Sequence, residues 1–288
     1  MAIATTNARV PHLRAFAEVG RRLSNLRSLL LLFFVFHPAQ AQQSLYSQSI
    51  QTAVARTTPN LEILVLDLRT HETLADTFHY PQTPIPVGSL LKPFLAVAYF
   101  KTHPGPSPTV VCHGHHDRCW KDGGHGAITL TDAIAQSCNA FFLSLARSIA
   151  PADIPYLPPP PNPSPETLIG LTPDWRVSPE VLAQAYAALL AARTTPTQSA
   201  ILAGMRDSAR HGTANHIGAH PGGVLAKTGT APCVDFPCKA TGDGLVITAV
   251  PAAHPTLLLL VRKRATTGAM TAAAAGPILT QLESLHAE

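Results

Sequence analysis

No apolar run in this chain approaches the roughly 20 residues that a helix needs to cross a bilayer core; the stretch Leu29–Phe36 has eight. Charge is sparse as well, with 21 Lys+Arg against 17 Asp+Glu, and several of the arginines fall in the first 27 residues. No basic block is present to hold a phosphate backbone, which argues against nucleic acid as a partner. Cysteine is scarce and odd in number, five in all, so pairing them all within the chain is excluded. Aromatic residues make up only 6%.

Proline is what the chain has in quantity, 27 residues of 288. The length suffices for one large domain or two small ones with a sizeable core. Arg21, Arg22 and Arg27 precede Leu29–Phe36, and Ala39-Gln40-Ala41 follows. A basic flank, a short apolar core and a small-x-small site are the parts of a secretory signal peptide. Residues 1–41 are therefore expected to be a signal peptide cleaved after Ala41, placing the protein in the periplasm or outside the cell. The alternative is an uncleaved anchor in the inner membrane. Residues 42–60 form a lead-in segment, with a helix expected over Ser44–Arg56, and a single domain occupies 61–288.

Within that domain three short motifs carry chemistry. Ser89 and Lys92 stand three apart in GSLLKPF, a spacing that puts both on one helix face. A serine hydroxyl becomes a nucleophile when a neighbouring base takes its proton, and a lysine serves once burial lowers its pKa. Prolines at 81, 84 and 86 hold the chain extended up to this helix. Ser137 and Asn139 form an S-x-N within SCNAFFLSLA, and Lys227, Thr228, Gly229 and Thr230 form KTGT. S-x-x-K, S-x-N and K-T-G in that order are the triple signature of penicillin-recognising serine enzymes.

On these motifs the chain resembles the transpeptidase domain of penicillin-binding proteins, in particular the class B elongation type. The likeness extends to VGSLLKPFLAVAYF, HGAITLTDAIAQSCNAFFLSLA, LIGLTPDWRVSPEVLAQAYAALL and GMRDSARHGTANH before KTGTA, and spans about Leu61–Leu285. It implies an α/β (α+β) fold of the β-lactamase/transpeptidase kind, an antiparallel sheet flanked by helices plus a helical subdomain, with the active site between. It implies Ser89 as nucleophile, Lys92 as base, Ser137 as proton relay, Asn139 as a positioning group, and Lys227 in binding and proton traffic. Thr228, Gly229 and Thr230 would bind the substrate's terminal carboxylate, and the amides of Ser89 and Thr230 would hold the oxyanion. The expected reaction is D,D-transpeptidation of peptidoglycan stem peptides, with β-lactams as inhibitors and cell-wall synthesis proteins as partners. D,D-carboxypeptidase, serine β-lactamase and a non-catalytic periplasmic binding domain are the alternatives. Glu166 is weighed as a water-activating base, but its context PETLIGLTP matches the family's structural turn better.

No cofactor is expected for catalysis. Cys112, Cys119, His125 and Cys138 form the series C-x6-C-x5-H-x12-C, whose last member is the middle residue of the S-x-N motif. Three thiolates and one imidazole suit tetrahedral zinc, and elongation-type relatives have a similar stretch. The competing reading is a Cys112–Cys119 disulfide with a free Cys138, since exported chains meet an oxidising compartment. His113, His115 and His116 are further candidate ligands, and Cys233 and Cys238 are close enough for a loop disulfide.

The expected elements are strands over Glu62–Leu68 and Thr73–His79, one helix from Thr131 to about Ala150, and a polyproline connection over Pro151–Pro165. A helix follows over Pro179–Ala192. A strand runs into KTGTA, strands follow at Leu245–Val250 and Leu257–Arg262, and a helix closes the chain at Ala272–Leu285.

Overall fold

A computed structural model describes residues 38–57, 60–192, 194–233 and 242–286. The chain divides into two units, Met1–Ala41 and Gln42–Glu288. Almost all of the first, and with it the expected signal peptide, lies outside the described residues, as does Cys238 of the expected Cys233–Cys238 pair.

Helix α1 covers Pro38–Ala55 and begins before the expected Ser44. Strand β1 (Leu61–Asp67) is buried along its length except for Glu62, and β2 (Thr73–Asp76) pairs with it antiparallel. After the short strand β3 (Ile85–Pro86), a 3-10 turn at Gly88–Leu91 runs directly into α2 (Lys92–Thr102). Helix α2 buries Lys92, Phe94, Leu95, Ala96, Ala98 and Phe100, residues on all of its sides, so it is an interior helix rather than an amphipathic one. Strands β4 (Val110–Cys112) and β5 (Gly126–Ile128) form a hairpin that the sequence reading leaves as loop.

The helix expected from Thr131 to Ala150 is two helices, α3 (Leu130–Ala135) and α4 (Asn139–Ala146). Ser137 adopts φ 51° between them. Its amide donates to Ile134 O (3.3 Å) and that of Cys138 to Ala133 O (3.0 Å), the paired bonds of a Schellman stop, with serine where glycine is usual. Helical periodicity continues across the break because the apolar residues on both sides face the same core.

Helix α5 (Pro165–Leu168) and strand β6 (Arg176–Val177), which pairs with β3, lead to α6 (Pro179–Ala191). Ser178 Oγ caps α6 by accepting from Val181 N, as Ser-Pro at a helix start suggests. Helix α7 (Pro196–Arg210), capped by Thr195, has no counterpart in the sequence reading. Strands β7 (Leu225–Ala231), β8 (Asp243–Val250) and β9 (Leu257–Lys263) and helix α8 (Gly268–His286) complete the chain.

The main sheet is antiparallel in the order β2-β1-β9-β8-β7. Alternation along β9 shows how it is covered on both faces. Leu257, Leu259 and Val261 join one core with Ile50 and Val54 of α1 and Leu279 and Leu282 of α8. Leu258 and Leu260 join the other, with Phe94 of α2, Phe141 of α4 and Tyr186 of α6. Strand β7, which carries KTGT, is the sheet edge beside the helical layer.

Candidate active site

Ser89 is held between α2 and β7 by glycines that allow close approach. Gly88 has φ +59°, and a Cβ there would meet the Thr230 carbonyl at 3.2 Å. Gly170 has φ +80°, and its Cβ would lie 2.0 Å from Gly88 O. A side chain at Gly170 would therefore displace the nucleophile turn. Gly229 is also close-packed, its Cβ position lying 3.2 Å from Leu90 Cγ and 3.3 Å from Val87 O.

Lys92 opens α2 and is fully buried. Its Nζ donates to Asn139 Oδ1 (2.6 Å), Ser137 O (2.7 Å) and Ser137 Oγ (3.3 Å). The Schellman stop makes the first two contacts available: it frees the Ser137 carbonyl from helix bonding and starts α4 with the Asn139 side chain alongside. Asn139 Nδ2 in turn donates to Arg118 O (2.6 Å). Burial lowers the Lys92 pKa to about 8, against the opposing pull of Cys138 and Cys119. The i, i+3 spacing anticipates a direct Ser89–Lys92 bond. Among the described residues the amine bonds instead to Ser137 and Asn139, which supply three acceptors to its three protons.

Lys227 is also fully buried, and its Nζ donates to Ser137 Oγ (2.8 Å) and Thr228 O (2.8 Å). Burial, and then the neighbouring charge of Lys92, hold it well below the usual lysine range. Ser137 Oγ thus accepts from two lysines with both lone pairs, which leaves its own proton free for the cleft. That cleft, about 610 Å³, is lined by Ser89, Ser137, Asn139, Thr228 and Thr230, and the two buried lysines reach it through their bonds to Ser137. Thr230 Oγ1 accepts from Gly268 N (3.0 Å) and Thr228 Oγ1 lies 2.6 Å from Thr213 Oγ1.

Cys112, Cys119, His125 and Cys138 come together, their ligand atoms all within 4.8 Å of one another. His125 Nδ1 is 3.5 Å from both Cys112 Sγ and Cys119 Sγ, and Cys119 Sγ is 3.9 Å from Cys138 Sγ. Donors at zinc bond lengths in a tetrahedron stand about 3.8 Å apart for sulphur pairs and about 3.5 Å for sulphur and nitrogen. The donor set and its spacing fit that ion. Cys112, Cys119 and Cys138 are unbridged in the structure, which has no Cys112–Cys119 disulfide. His113 and His115 pair with Asp117 and Asp122 at the surface and stand apart from the cluster.

No protein-family model matches the chain, and no curated protein does. Among solved structures it is similar to PBP2 of Pseudomonas aeruginosa in complex with WCK 5153, at 18% identity and TM-score 0.67, over 84% of this chain and 74% of that one. The transpeptidase domain of penicillin-binding protein 3 from Burkholderia pseudomallei gives 18% identity and TM-score 0.62, over 86% and 93%. PBP2 of Helicobacter pylori in complex with MreC gives 16% and TM-score 0.64, over 84% and 62%. The chain has the fold of a penicillin-binding transpeptidase domain.

Within this transpeptidase fold the structure gathers every residue singled out from the motifs, with Gly229 as backbone packing rather than cleft lining. Glu166 does not line the cleft; it is ion-paired to Arg118 (2.6 Å). Sequence reasoning missed Trp120, Gln136, Leu171 and Thr213, which do line it. Thr213, Gln136 and Leu171 fall within stretches that carry the family likeness, and could have been found there; Trp120 lies outside them, and only the folded chain brings it to the cleft.

Proposed function

We propose that the protein is a serine D,D-transpeptidase acting on the D-alanyl-D-alanine ends of peptidoglycan stem peptides through a Ser89 acyl-enzyme. The observation that carries this reading is the convergence of two buried lysines on Ser137 Oγ, in a cleft that Ser89 also lines. Neutral Lys92 takes the Ser89 proton, and Ser89 Oγ attacks the carbonyl between the two D-alanines. The amides of Ser89 and Thr230 hold the oxyanion, an interaction worth about 3 kcal/mol per donor in other enzymes. Ser137 passes its free proton to the departing D-alanine and draws another from the lysines. An amine of a neighbouring stem peptide then attacks the ester and regenerates Ser89.

The cleft lining contains no Asp or Glu among the described residues. The glutamate with which one class of serine β-lactamases activates the deacylating water therefore has no counterpart in that lining, which favours transfer over β-lactam hydrolysis. Intact-mass spectrometry with a penicillin tests the reading. Wild type should gain a stable adduct and Ser89→Ala none; rapid drug hydrolysis would indicate a β-lactamase, and neither adduct nor hydrolysis a binding domain.

We further propose that Cys112, Cys119, His125 and Cys138 hold a structural zinc ion. Bound there, zinc would tie the β4–β5 hairpin to the S-x-N segment through Cys138 and take no part in the reaction. Export by the signal peptide of residues 1–41 belongs to the same reading, as does a cell-wall synthesis partner, by analogy with the H. pylori PBP2–MreC complex. Among the described residues no helix is long and apolar enough to cross a membrane.

A further inference from the structure

Thr213 stands where three elements meet. Its amide donates to Ala135 O at the end of α3 (3.1 Å). Its hydroxyl lies 2.6 Å from Thr228 Oγ1 on β7, 3.4 Å from Ser208 Oγ on α7 and 3.4 Å from Ala135 O. Gly212 beside it leaves no slack, since a Cβ there would sit 2.3 Å from Ala135 O.

We propose that Thr213 is a positioning residue that turns the Thr228 hydroxyl proton toward the carboxylate end of the substrate. The argument counts protons. A bond of 2.6 Å between two hydroxyls contains one proton, and the two possible donors have different consequences. If Thr228 donated, it would show the cleft only lone pairs, which repel an anion. If Thr213 donates, the Thr228 proton is left to point into the cleft. The surroundings favour the second arrangement. Ser208 is wholly buried and can donate to Thr213, and the other acceptor within reach of the Thr213 proton, Ala135 O, stands 3.4 Å away against 2.6 Å for Thr228 Oγ1, beyond the usual length of a hydroxyl bond. The chain then runs Ser208 to Thr213 to Thr228 to carboxylate, each hydroxyl accepting behind and donating ahead. Thr230 is arranged alike: its hydroxyl accepts from Gly268 N and keeps its proton for the same anion.

This deepens the transpeptidase reading and rests on it. The test compares a penicillin with its methyl ester, which lacks the anionic carboxylate. The quantity read is the acid-to-ester ratio of acylation rates in wild type, Thr213→Val and Thr213→Ser. A hydrogen bond to a charged group is worth a factor of about ten or more. The ratio should fall at least about tenfold in the valine variant and recover to within about twofold of wild type in the serine variant. A general loss of packing would slow both compounds equally, so a ratio unchanged by valine overturns the proposal. The same ratio is read as dissociation constants by calorimetry in a Ser89→Ala background. An acid that binds no more tightly than its ester there, or no binding of either, overturns the role of Thr213. Absence of an adduct on wild type overturns the acyl-enzyme reading alone and leaves the binding ratio to decide for Thr213.

Discussion

Ser137 occupies a left-handed conformation that costs an L-residue about 1–2 kcal/mol. Glycine would relieve that strain and would lose the hydroxyl on which Lys92 and Lys227 converge. The two lysines have no ion pair with a carboxylate among the described residues, and burial, which penalises their charge, holds both below the usual lysine range. Acylation by a penicillin should therefore accelerate as pH rises through about 8, where Lys92 becomes neutral, and Lys92→Met should abolish it. Stopped-flow acylation from pH 6 to 10 gives the profile; a rate flat across pH 8 would remove Lys92 from the role of base. Linkage runs the same way. The folded pKa of Lys92 lies below the usual lysine value, so between about 8 and the unfolded value the unfolded chain binds more protons. The contribution of Lys92 to stability rises with pH in that window.

At the scale of elements, the site is a contact between a turn and a strand edge, and glycines set its tightness. Gly170, just after α5, meets Gly88 with no room for a methyl group and holds a positive φ as well. Gly170→Ala should lower Tm by several degrees and cut Ser89 acylation at least about tenfold, because the clash is with backbone that cannot rotate away. Thermal denaturation and intact-mass kinetics measure both; an alanine variant with wild-type acylation would show that the Gly88–Leu91 turn is not held from this side. The S-x-N break also belongs to this scale. The 3.6-residue apolar pattern is continuous from Ile134 through Leu145, so periodicity predicts one helix. The stop shows only in backbone bonds among Ala133, Ile134, Ser137 and Cys138.

For the whole molecule, the β4–β5 loop, α3 and α4 are joined at one cluster of three thiols and an imidazole. Cys119 is held below the ordinary thiol range first by its bond with Cys138, while Cys138 is held above it. These two share a proton that a cation would displace. Protein purified without chelator should contain about one zinc per chain, and chelation should lower Tm by more than reductant does. Elemental analysis with paired melting curves decides this: a metal-free protein with three titratable thiols would leave the cluster as buried sulphur packing.

The three motifs in their order were enough to indicate, through the resemblance they carry, a penicillin-binding transpeptidase fold with its antiparallel sheet, and the four-residue ligand series and the Ser-Pro cap of α6 were legible as well, because each is a short-range pattern of residue types. Helix α7, the β4–β5 hairpin and the partners of Lys92 were decided by the tertiary structure. Burial is the physical reason. Once α2 places Lys92 in the core, its three protons must find acceptors, and these come from residues 45 and 47 positions away in the chain. The same holds for Thr213, whose hydroxyl acquires meaning only when α7 packs it against Ala135 and Thr228.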